Sequence, residues 1–280
     1  ARKNFPSGAR LTVLLNQADT PELQAGARAM SRALLSKYQS VVISSLEHGK
    51  VFAAHEPVAG IILAAGESSR YGQPKQLLDW KGEPFVRVVA RRSLEAGLAP
   101  VLVVTGAKAE QVETAVKDLN VRIVRNTEWK SGQGSSIRAG MQTLRPPPPF
   151  GHLPQIRRNI YFDRNNTHVG FGGGWEEVGA AIFLLVDQPQ ITTSILQALI
   201  EKHAEGLTSI VAPQVLDRRA NPVLFDRRTF SDLLALEGDV GGRAIFHKHH
   251  VEYLPWHDDR LLLDVDTPEH YQRLLADETL

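Results

Sequence analysis

Residues 59–78 read Ala59-Gly60-Ile61-Ile62-Leu63-Ala64-Ala65-Gly66-Glu67-Ser68-Ser69-Arg70-Tyr71-Gly72-Gln73-Pro74-Lys75-Gln76-Leu77-Leu78, and the two halves of this stretch call for different structures. The first half is a continuous run of small and β-branched apolar residues, which suits a strand buried on both faces of a parallel sheet. The second half is a loop suited to phosphate. Gly66 and Gly72 let the backbone turn and approach a ligand, so that consecutive N–H groups can point at one anion. Arg70 adds a planar fork for phosphate oxygens, and Lys75 a mobile point charge. Two other phosphate loops do not fit. A P-loop needs four residues between its glycines followed by Gly-Lys-[Ser/Thr], whereas five residues separate Gly66 from Gly72. The dinucleotide fingerprint G-x-G-x-x-G is absent as well.

Outward from this stretch, strands and helices alternate. Strand 60–65 leads through the loop to a helix over 84–96, strand 101–105, a helix over 108–118, strand 121–125 and a helix over 134–144. After an interruption come strand 180–186, a helix over 192–205, strand 208–212, two further helices, strand 261–263 and a helix from Pro268. Such alternation implies right-handed crossovers and an α/β fold with a doubly wound, mostly parallel sheet. Ligands of such sheets sit beyond the C-terminal strand ends, where Gly66 and Gly72 lie.

Two segments stand apart. Residues 1–57 predict a small N-terminal βαβ appendage: a strand over 11–15, a helix capped by Thr20 with Pro21 at its first position and an apolar stripe of Leu23, Ala27, Met30 and Leu34, then a strand over 41–43. Asn16-Gln17-Ala18-Asp19 resembles the guanine-reading N-K-x-D motif, with Gln17 in place of Lys and no P-loop before it; shaping the strand-to-helix turn is the reading preferred here. Residues 145–178, with four consecutive prolines and Gly172-Gly173-Gly174, read as an exposed insertion within a domain spanning 58–280.

The 280 residues contain 42% hydrophobic and 22% charged residues, as in globular proteins, and a formal net charge of +1, which creates no field for nucleic acid. Cysteine is absent, so disulfides, thiolate metal sites and a cysteine nucleophile are excluded. Any metal takes oxygen or imidazole ligands. Apolar runs stay below membrane-spanning length, and a cytoplasmic location is expected.

Two carboxylates are placed for a cation. Val186-Asp187-Gln188-Pro189 ends a buried strand on the same edge as the phosphate loop, and Asp266 in Asp264-Val265-Asp266-Thr267-Pro268-Glu269 precedes a helix. Either Asp also suits a helix cap. Beside a triphosphate, Mg²⁺ typically uses one or two carboxylates plus phosphate oxygens.

Taken in order, the Leu63–Lys75 signature, Arg125-Asn126-Thr127-Glu128-Trp129, Gly132-Gln133-Gly134-Ser135-Ser136, Leu185-Val186-Asp187-Gln188-Pro189, Asn221-Pro222-Val223-Leu224-Phe225, Gly238-Asp239-Val240-Gly241-Gly242-Arg243 and Asp264-Val265-Asp266-Thr267-Pro268 resemble the molybdenum cofactor cytidylyltransferase family. The resemblance implies a nucleotide-diphospho-sugar transferase-like, Rossmann-like fold and transfer of CMP from CTP to molybdopterin with Mg²⁺. It implies that Leu63, Ala64, Ala65, Gly66, Arg70 and Lys75 hold the triphosphate, with Thr105, Asn126, Ser135 and Ser136 completing the nucleotide set. Asp187 and Asp266 correspond to the magnesium ligands, Asn221 and Pro222 to the acceptor loop, and Lys75, Arg70 and Asp187 to the catalytic groups. Ala65 and Ser135-Ser136 look like the cytidylyl rather than the guanylyl version. Ala220 stands where the family usually has Gly. The N-terminal piece resembles an accessory domain of molybdenum-hydroxylase maturation factors, which implies a hydroxylase apo-enzyme as partner. Alternatives are a transferase acting on a sugar or alditol phosphate and a non-catalytic cofactor chaperone. Trp129 and the histidines carry no assigned chemistry.

Overall fold

In the computed structural model, which describes residues 12–35, 37–67, 71–144 and 178–276, the chain starts with β1 (Thr12–Leu15), α1 (Pro21–Leu35), β2 (Ser40–Ser45) and β3 (Lys50–His55). These strands form a separate sheet of order β1-β2-β3, in which β1 and β2 are parallel and β3 antiparallel. The N-terminal piece therefore has a third strand that the sequence reading lacks. Thr20 Oγ1 accepts Leu23 N at 3.3 Å, as the cap reading expects. The expected apolar stripe is corrected. Leu23 and Met30 are 52% and 55% exposed, and Ser31 is the buried residue. Ala27 packs against the cluster of Ala18, Ile43, Ala53 and Ala204, and Arg28 beside it reaches Glu201 and Glu205, each at 3.1 Å, on a helix of the main domain.

The main sheet is built from β4 (Val58–Ala64), β7 (Val101–Thr105), β8 (Arg122–Arg125), β9 (Ala180–Leu185), β10 (Ile210–Val215), β11 (Arg218–Arg219), β12 (Val223–Asp226) and β13 (Val251–Pro255), with a small hairpin of β5 (Asp79–Trp80) and β6 (Glu83–Pro84). Its helices are α2 (Phe85–Glu95), α3 (Ala109–Val116), α4 (Gln133–Thr143), α5 (Thr193–Gly206), α6 (Phe230–Leu234) and α7 (Pro268–Ala276). Strand order is β11-β10-β12-β9-β4-β7-β8, and β13 also pairs with β10. β4 is buried at every position and pairs in parallel with β7 and β9. Its alternating side chains feed two cores: Ile62 and Ala64 face α2, α3 and α5, while Ile61 and Leu63 face α4 and α6. α4 lies tight against this second face, where a Cβ on Gly140 would come within 2.7 Å of Ile61 Cγ2.

Two sequence expectations change. β12 runs antiparallel to both β9 and β10, interrupting the parallel order. An antiparallel neighbour needs no helical crossover, so the short β10-to-β12 connection leaves no alternating pattern to read. Residues 261–263 are not a strand; Asp259–Leu262 form a 3₁₀ turn. Leu261 and Leu263 are buried by packing into the core rather than by a ladder. The insertion reading falls on residues outside those described, apart from Val178. No described helix is long and apolar enough to cross a membrane.

Candidate active site

The turn after β4 places Ala65 and Gly66 at the C-terminal edge of the sheet. Gln76, itself buried, holds that turn by donating from Nε2 to the Gly66 carbonyl at 3.1 Å. Its neighbour Lys75 extends its ammonium to two carboxylates from distant parts of the chain, Asp187 Oδ2 and Asp266 Oδ1, both at 2.8 Å. Asp187 follows β9 and Asp266 precedes α7; the Val265 N–H donates to the Asp187 carbonyl at 3.0 Å and so joins the two segments. Burial disfavours the Lys75 ammonium, but the charges and hydrogen bonds of Asp187 and Asp266 outweigh it and raise the pKa. Asp264, exposed at the rim, has its carboxyl pushed up by the protein crowding it and then by the charge of Asp187.

The opposite wall is made by the end of β8 and the start of α4. Asn126 N–H donates to the Thr105 carbonyl at 2.8 Å, and its side-chain Nδ2 donates to Ser135 Oγ at 2.8 Å and Ser136 Oγ at 3.1 Å. Ser135 Oγ in turn donates to the Gly132 carbonyl at 2.8 Å. Gly132 has φ of 108°, and an added Cβ would lie 2.6 Å from the backbone of Asp239. Only glycine accommodates both demands. The 238–239 segment occupies the first donors of α4: Gln133 N–H bonds to Asp239 Oδ1 at 3.2 Å and Gly134 N–H to the Gly238 carbonyl at 3.1 Å.

Between these walls lies a cleft of about 650 Å³. Of the residues singled out by sequence, Leu63, Ala65, Gly66, Lys75, Ser136, Asp187 and Asp266 line it. Ala64 and Thr105 do not. They are register partners on adjacent strands, and the alternation that sends Leu63 and Ala65 to the cleft side sends Ala64 toward α2 and α3. Thr105 is fully buried, with no partner for its hydroxyl among the described residues. Asn126 and Ser135 are buried behind Ser136 and act on it rather than on the cleft. Asn221 and Pro222 precede β12, whose first residue pairs with Phe183 near the end of β9, so they stand on the same sheet edge but outside the lining. Arg70 falls outside the described residues. The sequence reading assigned Trp129 no chemistry, yet it lines the cleft with Tyr71, Lys130 and Asp239. Lys130 Nζ sits 5.3 Å from the Trp129 ring centre. The available signal was the position of Trp129-Lys130 just before the glycine that opens α4.

The residues present suit a divalent cation. Two carboxylates from different segments converge on the Lys75 ammonium, and their hard oxygen donors match Mg²⁺ or Mn²⁺.

Residues 60–253 match the MobA-like NTP transferase domain. The chain belongs to this family. It is a nucleotidyltransferase, and its cleft lies beyond the C-terminal ends of β4 and β9. The transferase is 29% identical over 227 residues to nicotine blue oxidoreductase of Paenarthrobacter nicotinovorans, covering 78% of this chain and 96% of the relative. It is 22% identical over 229 residues to a probable molybdenum cofactor guanylyltransferase of Bacillus cereus, covering 78% and 96% respectively. Among solved structures, Rv0371c of Mycobacterium tuberculosis H37Rv superposes with a TM-score of 0.59 at 25% identity, covering 79% of this chain and 98% of that one. The transferase thus shares the nucleotide-diphospho-sugar transferase fold.

Proposed function

We propose that this transferase moves CMP from CTP to the terminal phosphate of molybdopterin, or of its molybdenum form, and releases pyrophosphate with Mg²⁺ as the cation. The observation that carries the proposal is the Lys75 ammonium shared at 2.8 Å by Asp187 and Asp266 beside the Gly66 turn. It is supported by the ordered family motifs and by the relative named as a probable molybdenum cofactor guanylyltransferase. Ala65, together with Ser136 on the opposite wall, supports the cytidylyl branch. The attacking group is an ionised phosphate, so no general base is required, and the protein's task is positioning and charge neutralisation. Asp187 and Asp266 hold the cation, which when bound neutralises phosphate charge. Freed from the carboxylates, Lys75 turns to the phosphates, and Arg70 joins it from the loop. The Ala65-Gly66 turn receives the triphosphate, Ser136 offers its O–H to the base, and Asn221 and Pro222 flank the acceptor. Residues 1–57 form an accessory piece and 58–280 the transferase domain, acting in the cytoplasm toward a molybdenum hydroxylase apo-enzyme.

Pyrophosphate release from CTP, GTP, ATP and UTP, each with and without molybdopterin, tests this reading. Release that requires both CTP and molybdopterin is expected. Release with a sugar or alditol phosphate in place of molybdopterin would move the acceptor assignment. Tight molybdopterin binding without release from any nucleotide would overturn the catalytic proposal.

A further inference from the structure

The two carboxylates of the cleft belong to segments that nothing in the sheet ladder connects. Beyond the Val265 N–H bond already noted, two side chains in the turn after β9 reach across. Gln188 Nε2 donates to Asp264 Oδ1 at 2.6 Å. Gln190 Nε2 donates to the carbonyls of Arg260 and Leu263, at 2.9 and 2.6 Å. Both glutamines are almost fully enclosed, at 2% and 8% exposure. Their acceptors dictate their orientation: reversed, Gln188 would aim a carbonyl at a carboxylate, and Gln190 would aim one at two carbonyls. In this orientation each Oε1 is buried with no partner among the described residues. Packing alone therefore does not account for them, because an apolar side chain of similar size would fill the same space without an orphaned oxygen. What the amides supply is donors aimed at the segment that carries Asp266. From Asp264, the Asp266 N–H is tied back to the Asp264 carbonyl at 3.0 Å, which completes the path from Gln188 to the second carboxylate.

We propose that Gln188 is a positioning residue: through Asp264 it sets the 264–266 segment so that Asp266 and Asp187 share one divalent cation, while Gln190 anchors the base of that segment. The inference rests on the cation reading above. The test is Mn²⁺ binding to the full chain without nucleotide, read from the electron paramagnetic resonance signal of free Mn²⁺, with thermal unfolding as the check on folding. Asp187→Asn is expected to abolish binding. Gln188→Leu and Asp264→Ala are each expected to weaken it on the order of 10- to 100-fold, the usual effect of removing a partner that orients a metal ligand. Asp264→Asn keeps an Oδ1 acceptor for Gln188 and restores most of the affinity that Asp264→Ala loses. Turnover of Gln188→Leu recovers at saturating Mn²⁺, whereas that of Asp187→Asn does not. Wild-type Mn²⁺ affinity in folded Gln188→Leu overturns the proposal, as does an Asp264→Asn variant as defective as Asp187→Asn, which would make Asp264 a ligand. Unchanged binding in Asp187→Asn would instead overturn the cation reading itself. If Gln188→Leu does not fold, the two variants of Asp264, at an exposed position, decide the question alone.

Discussion

At the floor of the cleft the Lys75 ammonium bridges two carboxylates, Asp187 and Asp266, from distant segments of the chain. On the α4 wall, Asn126, Ser135 and the Gly132 carbonyl satisfy one another, and of the two serines Ser136 lines the cleft. On the proposed reading, the first corner exchanges partners when a charged ligand arrives. The second is a closed network whose job is to hold one hydroxyl still, since a buried polar network is stable only when its members are paired. On the proposed reading, the contrast separates the residues that would meet phosphate and metal from those that would shape the space for the base.

The largest effect should come from the floor. Asp187→Asn is expected to lower kcat by on the order of 10³-fold with the unfolding transition retained, because an amide cannot neutralise a cation. Near-normal turnover at saturating Mg²⁺ would remove Asp187 from the site and break the contrast.

Base choice tests the wall. CTP is expected to exceed GTP in kcat/KM by roughly 10²- to 10⁴-fold, since a site that pairs one base leaves polar groups unpaired with another. Equal use of the two nucleotides would defeat the cytidylyl assignment and leave the broader transferase. Replacing both serines by apolar residues is a poor test, because Ser135→Leu would strip Asn126 of a partner and overfill a buried position. The pair Ser136→Ala and Ser135→Ala sharpens the comparison instead. Ser136→Ala should raise KM for CTP by about tenfold, the worth of one hydrogen bond. Ser135→Ala should cost about 1 kcal/mol of folding stability and leave KM nearly unchanged. The reverse pattern, measured by urea unfolding and steady-state kinetics, would place the base against Ser135.

The smallest expected effect is on pH dependence. The pKa of Lys75 is raised by folding, so its contribution to stability is complete below the ordinary lysine range and is lost as pH rises through the raised value. Lys75→Met should therefore show a smaller loss of stability between neutral and strongly alkaline pH than the wild type, while Ser135→Ala, which removes no titrating group, should track it. Parallel alkaline profiles for wild type and Lys75→Met would show that the ion pairs with Asp187 and Asp266 add nothing to the fold.

The sequence alone carried the central strand, the glycine turn after it and the edge of the sheet on which the cleft opens, because these depend on local patterns: a continuous apolar run, glycines at a turn and an Asp at a strand end. It also named Lys75, Asp187 and Asp266, although not that one ammonium joins them. Tertiary structure decided what local pattern cannot encode. The register of β4 with β7 turned Ala64 and Thr105 away from the cleft that Leu63 and Ala65 enter, and side-chain pairing took Asn126 and Ser135 out of the lining. β12 entered the sheet antiparallel, without the crossover helix that marks a strand in sequence. Residues 259–262 form a turn instead of the expected strand, and the carbonyls of Arg260 and Leu263 that flank Leu261 and Leu262 are met by the side chain of Gln190, at 2.9 and 2.6 Å, rather than by a neighbouring strand. Hydrophobic periodicity reports that a residue is buried, but the partner that buries it, and hence the direction its neighbours face, is set by contacts between segments far apart in the chain.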